Sequence, residues 1–297
     1  MIATTGSDDA ARTTTRDRVL ADTPVRDRRM NLSGIPTAVL EGGDGAPMVL
    51  LHSSGEFAAL WRRVLPELVR THRVIAPDLP GHGASGVPAG PLDVDRTAAW
   101  LGALIERTCP SPPILVGRGL GGAIAARYAV DHSDRLERLV LVGAFGLAPF
   151  EPVPGFAVAL NEFMAQPTAQ TRDALFEHCF VDLNRLRSQM GQRWEPLAGY
   201  ALERARTPTL QASAADLMRY FGLSATPEAD LDRIAVQTSL IWGRGDLSVR
   251  PTVGQAASRR YGWPLHTIDD AGDDPPLEQP SSFLTALHTA VRVPTGA

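Results

Sequence analysis

The sequence predicts an α/β fold: a mostly parallel sheet covered by helices on both faces, with a helical segment inserted in its second half. Three observations predict it. Short apolar runs alternate with helical patterns on either side of one long interruption. These runs are apolar throughout, as strands buried on both faces must be. Pro113-Ile114-Leu115-Val116 then leads into Gly117-Arg118-Gly119-Leu120-Gly121-Gly122 and an apolar helical stretch, a strand–turn–helix signature. A chain of 297 residues, 44% hydrophobic, suits one large domain with a sizeable core.

The elements follow in order. Residues 1–28 are rich in Thr, Asp and Arg, and are expected to form a flexible segment or a loosely attached helix. They lack the apolar stretch of a signal peptide. Residues 48–51 read as a buried strand. Residues 57–70 read as one amphipathic helix, with Leu60, Val64, Leu65 and Leu68 on one face. Strand 74–76 leads into Pro77-Asp78-Leu79-Pro80-Gly81-His82-Gly83, and helix 93–108 follows. After the glycine turn come a helix from Leu120 to about Ala129 and strand 139–142. Residues 147–235 break the alternation, reading as helices punctuated by prolines, and are expected to form an inserted helical cap. Strands 239–242 and 265–268 and a helix over 280–291 complete the core, which spans 29–146 and 236–297.

Composition narrows the function. The net charge is −4 with both signs mixed, so no nucleic-acid footprint is expected. All 29 basic residues other than histidine are arginine, which excludes a Schiff-base lysine. Cys109 and Cys179 read as free thiols of a reducing compartment, and no zinc spacing occurs. No apolar run approaches the roughly 20 residues of a membrane span. The expectation is a cytoplasmic protein with a small-molecule ligand, no metal, no cofactor and no membrane partner.

The glycine turn has two readings. Gly117, Gly119 and Gly122 match the dinucleotide fingerprint, but the acidic residue expected after the next strand is missing, since 139–142 runs into Gly143-Ala144-Phe145. The alternative is the Gly-x-Ser-x-Gly nucleophile elbow, with glycine at the serine position. The flanks favour it. His52-Ser53-Ser54-Gly55, Trp61, the Pro-Asp-Leu-Pro-Gly-His-Gly turn, Gly117 to Gly122, Ile241-Trp242-Gly243-Arg244 with Asp246, and Ala271-Gly272 with Pro275 occur in order. From about residue 30 onward the chain resembles the α/β-hydrolase superfamily, in its helical-cap branch.

That resemblance implies four functional positions. Asp246 fills the place of the triad acid. Gly119 stands where the nucleophile belongs, and Asp273 where the basic histidine belongs. The segment from His52 to Gly55 fills the oxyanion loop, with the N–H groups of Leu120 and of Ser53 or Ser54 as donors. The resemblance also brings Asp246 and Asp273 together, where two carboxylates would share a proton and act as an acid/base unit. His52 either holds the oxyanion loop or titrates. Arg118 either holds a substrate carboxylate or phenolate or forms a salt bridge. Ser53 and Ser54 are substitute nucleophiles without an evident base. In the cap, His178, Trp194, Tyr200 and Tyr220 read either as packing residues or as side chains that reach the pocket.

With two triad members replaced, the leading expectation is a non-hydrolytic enzyme performing elimination, cyclisation or rearrangement of a small organic molecule. The alternatives are a binding pseudoenzyme and a hydrolase using carboxylate-activated water or a recruited serine.

Overall fold

The structure, a computed structural model, describes residues 15–292. Eight strands form one sheet: β1 (Arg26–Leu32), β2 (Ile35–Gly42), β3 (Ala46–Leu51), β4 (His72–Pro77), β5 (Ile114–Arg118), β6 (Arg138–Val142), β7 (Thr238–Gly243) and β8 (Leu265–Ile268). Their order is β1-β2-β4-β3-β5-β6-β7-β8. Neighbours from β4 to β8 are parallel, and β1 and β2 add an antiparallel edge.

Alternation along the strands divides the core into two layers. Val49, Leu51, Leu115, Leu139, Leu141, Leu240 and Trp242 pack on one face with helices Val94–Thr108, Leu120–His132 and Pro251–Tyr261. Met48, Leu50, Val116, Val140, Val142 and Ile241 face the other way, toward Trp61, Leu65, Leu68 and helix Pro280–Arg292. Both faces being covered, these runs carry no polar alternation.

Three expectations need correction. Residues 57–70 are not one helix: a 3-10 turn over Ala58–Arg63 is followed by a short helix over Leu65–Leu68. Pro66 causes the break, because it lacks an N–H and fits only a helix's first turn. The hairpin of β1 and β2 lay hidden because β1 is an exposed edge with Arg26, Asp27, Arg28 and Arg29 in succession. Residues 15–28 pack onto the core rather than lie apart from it. Helix Thr15–Leu20 buries Val19 against Phe57 and Leu60, and Arg16 pairs with Asp27 and with the buried Asp78. The remainder of that expectation, residues 1–14, lies outside the described residues.

Between β6 and β7 the chain is helical: Pro154–Ala165, Ala169–Cys179, Leu183–Met190, Trp194–Ala205, Pro208–Leu217 and Glu228–Leu231 are its α-helices. Pro154 and Pro208 open two of them. Among the described residues no helix is long and apolar enough to cross a membrane.

Candidate functional site

Five strands deliver their following loops to one edge of the sheet, where open α/β sheets place ligands. His52 follows β3, Gly119 follows β5, Gly143 follows β6, Asp246 follows β7 and Asp273 follows β8.

Gly119 joins β5 to helix Leu120–His132 with φ +51° and ψ −115°, outside the regions that L side chains favour. Its N–H donates to the Val142 carbonyl at 2.9 Å, and its carbonyl accepts from Phe145 N–H at 3.0 Å. The flanking glycines are steric requirements. A Cβ on Gly117 would lie 2.7 Å from the Gly121 carbonyl carbon, and one on Gly121 2.5 Å from the Leu51 carbonyl oxygen. These approaches are to protein backbone, which leaves the dinucleotide reading without support. A Cβ on Gly119 would stand 2.7 Å from Ser53 Cβ and nearer still to Ser53 Oγ. The Ser53 hydroxyl therefore fills the space where an elbow side chain would begin, and Leu120 N–H donates to it at 3.3 Å.

The oxyanion loop is tied down on both sides. His52 is fully buried; Leu79 N–H donates to its Nε2 at 2.9 Å, so Nδ1 carries the proton and donates to the Ser53 carbonyl at 2.8 Å. Burial first, then neighbouring His82, pushes its pKa well below the usual imidazole range. A neutral ring held at both nitrogens is a structural tie, which corrects the expectation that His52 titrates in catalysis. His82 is likewise buried, and its pKa is pushed down to about 3. Ser53 N–H donates to Glu56 Oε2 at 3.0 Å. Both anticipated oxyanion donors thus have internal partners, Ser53 Oγ and Glu56, while Ser54 lines the cavity half-buried.

Asp246 is buried, and its Oδ1 accepts from the Ser248 and Val249 N–H groups, both at 2.9 Å. Its Oδ2 has no hydrogen-bond partner among the described residues. That oxygen and the Asp273 carbonyl bound the space beside Gly143, so the two loops converge. Burial raises both pKa values, and the charge of Asp273 lifts Asp246 further. Asp274 is raised to about 6 and Glu278 to about 7, mainly by burial. Glu278 accepts from Gly272 N–H at 2.7 Å and Val181 N–H at 2.8 Å, holding the Asp273 loop against the cap.

Arg118 is the cation of this cluster. It pairs with Glu56, lies 3.4 Å from Asp274 and 3.6 Å from Asp273, and donates to the Asp273 carbonyl at 2.8 Å. Buried and surrounded by the protein's own carboxylates, it does not line the cavity. The expectation that it holds a substrate anion gives way to an internal ion-pair network.

The cavity lies between cap and sheet edge, with a volume of about 360 Å³. That is the scale of a small-molecule site. Ser53, Ser54, Glu56, Asp273 and Asp274 form a polar region, and Phe145, Phe150, Phe156, Phe163 and Met164 an apolar one. Tyr200 reaches down from the cap: its hydroxyl accepts from Gly83 N–H at 2.6 Å and donates to the Glu56 carbonyl at 3.2 Å. Trp194 packs with Phe176 and Phe180, His178 abuts Gly155, and Tyr220 is exposed. Sequence reading missed Glu56 and Arg204, which also line the cavity. Neither falls within a motif, so no local signal marks them.

The sequence matches the alpha/beta hydrolase family over residues 48–286. The chain belongs to that family. It is 30% identical over 265 residues to the pimeloyl-[acyl-carrier protein] methyl ester esterase of Aromatoleum aromaticum, covering 82% of this chain and 98% of that protein. It is 29% identical over 228 residues to the 2-hydroxy-6-oxo-2,4-heptadienoate hydrolase of Pseudomonas putida, covering 74% and 79%. Its fold is similar to that of 2-hydroxy-6-oxo-6-phenylhexa-2,4-dienoate hydrolase from Rhodococcus sp., with TM-score 0.78, 23% identity and 91% and 99% coverage. These relatives are hydrolases. They overturn the expectation of a non-hydrolytic lyase, cyclase or isomerase and point to a hydrolase.

Proposed function

We propose that this protein hydrolyses a small organic carbonyl compound, an ester or a cleavable ketone, with water activated by the Asp246–Asp273 carboxylate pair. The observation that carries the reading is the convergence of the loops bearing Asp246, which is buried, and Asp273, which lines the cavity, both carboxylates with raised pKa values. The names of its relatives, a methyl ester esterase and an oxo-dienoate hydrolase, support hydrolysis of an ester or of a ketone as the reaction type.

Raising a carboxylate's pKa toward neutrality makes it a stronger base when ionised and a usable acid when protonated. Asp273 is the member open to the cavity, with a side chain 19% exposed, whereas Asp246 is 2% exposed. Water held by Asp273 attacks the substrate carbonyl carbon and its proton passes to Asp273. The carbonyl oxygen becomes an oxyanion that accepts from the Ser53 O–H, which Leu120 N–H orients. Collapse re-forms the carbonyl, and the leaving group departs with the proton from Asp273. Asp246 holds charge and proton balance behind it.

A second reading has its own observation: Ser53 Oγ occupies the space of the missing elbow side chain, which suits a recruited nucleophile. Turnover of 4-nitrophenyl esters and of 2-hydroxy-6-oxo-6-phenylhexa-2,4-dienoate by Ser53→Ala and Asp273→Asn separates the two. Under the water reading, Ser53→Ala loses one oxyanion donor, about 10²–10³ in kcat at most. A nucleophile's removal costs on the order of 10⁶. Asp273→Asn should abolish turnover, and fluorophosphonate should leave Ser53 unlabelled. Full activity of Asp273→Asn would sink the proposal; stoichiometric labelling of Ser53 would transfer it to the second reading.

A further inference from the structure

Arg204 stands on the cap helix Trp194–Ala205 and lines the cavity opposite the oxyanion loop. Its guanidinium lies over Gly55, with Nη2 3.1 Å from where a Cβ on that glycine would sit. Gly55 has φ +83°, so the loop at this point is glycine-shaped and leaves room for the cap arginine. Among the described residues Arg204 makes no ion pair, and its buried Nη1 has no hydrogen-bond partner. The nearby carboxylates are engaged elsewhere: Glu56 with Arg118 and Ser53 N–H, and Asp274 with Arg118 and Leu277 N–H.

A guanidinium cannot shed its proton at ordinary pH, so a half-buried one with a buried, unpartnered nitrogen and no counterion is unfavourable until an anion reaches it. A planar carboxylate satisfies it with two parallel charge-assisted bonds. Gly55 is two residues from Ser53, at most about 7 Å of extended chain. An anion on Arg204 therefore lies close to the reacting carbonyl, while Phe150, Phe156 and Phe163 take the apolar part of the ligand.

We infer that Arg204 is the anion-recognition residue of this cavity and that the substrate is an organic acid whose carboxylate pairs with it. The inference rests on this cavity being the substrate site, as the hydrolase reading has it, but not on the mechanism of hydrolysis.

The test is equilibrium binding, which needs no turnover. Calorimetric titration of the protein with 4-phenylbutyrate and with the neutral 4-phenylbutyramide reads the charge preference directly. The acid should bind at least about tenfold tighter than the amide, the value of roughly one charge-assisted hydrogen bond. Arg204→Gln should remove that preference, and Arg204→Lys should retain part of it. Equal affinity for acid and amide, absent binding of both, or an unchanged preference in Arg204→Gln overturns the inference. Urea unfolding of the unliganded Arg204→Met variant is the second measurement. Stability at or above that of the parent fits a cation waiting for a ligand; a clear loss means that Arg204 is structural and overturns it. If the charge preference holds but Asp273→Asn stays fully active, the mechanism fails and the recognition role stands.

Discussion

Gly119→Ser restores the residue type that the elbow pattern expects, and the structure says that it should destabilise the fold. Two penalties combine. The site has φ +51°, and a non-glycine residue there costs about 1–2 kcal/mol. The new Cβ would also lie 2.7 Å from Ser53 Cβ, closer than side-chain carbons pack. Rotating the Ser53 hydroxyl does not relieve a clash with its own Cβ, so the loop must shift, an overpacking cost of about 1–3 kcal/mol. The sum is about 2–5 kcal/mol, read as a lower urea midpoint with an unchanged slope. Ser53→Gly removes both atoms of the clash. In that background Gly119→Ser should cost only the backbone share, so a double-mutant cycle should show a favourable coupling of about 1–3 kcal/mol. If Gly119→Ser costs as much in the Ser53→Gly background as in the parent, Ser53 does not fill the elbow and the site description is wrong.

Two further outcomes follow from the charges. His82 is fully buried with its pKa lowered from 6.5 to about 3, so its neutral form supports the fold above about pH 6.5 and that support is lost as pH falls toward 3. The unfolded chain binds the proton first, which costs about 2 kcal/mol by pH 5 at about 1.4 kcal/mol per pH unit. His82→Asn, whose amide can still donate to the Pro80 carbonyl, should therefore lose about 2 kcal/mol less than the parent between pH 7 and pH 5 in urea unfolding. Arg118→Met removes the cation shared by Glu56, Asp273 and Asp274, and should cost about 3–5 kcal/mol at pH 8. That deficit should shrink as pH falls from 8 toward about 6, because Arg118 lowers the Asp274 pKa to about 6 and without it Asp274 takes up a proton at higher pH; a pH-independent deficit would mean that packing, not charge, is what Arg118 supplies.

The strand and helix pattern of the core was legible because burial on both faces writes itself into consecutive residues. Leu139-Val140-Leu141-Val142 alternates between the two layers, yet both layers are apolar, so the run is unmistakable. Glycines 117 and 121 were legible for a similar reason: backbone meets backbone there, and only a residue without a side chain fits. The same local logic failed at β1, whose exposed edge carries charges, and at residues 57–70, where Pro66 outweighs the apolar spacing.

The amino-acid order by itself determined the hydrolase scaffold, and the absence of a hydroxyl at 119 and an imidazole at 273. Only the tertiary structure decided what those changes mean. Ser53 reaches position 119 across 66 residues of chain, Arg118 collects carboxylates from two loops, and Arg204 descends from the cap onto Gly55. Such contacts depend on how distant segments converge at one sheet edge, and no periodicity or spacing within a segment encodes that convergence. A missing side chain is visible in sequence; the neighbour that moves into its space is not.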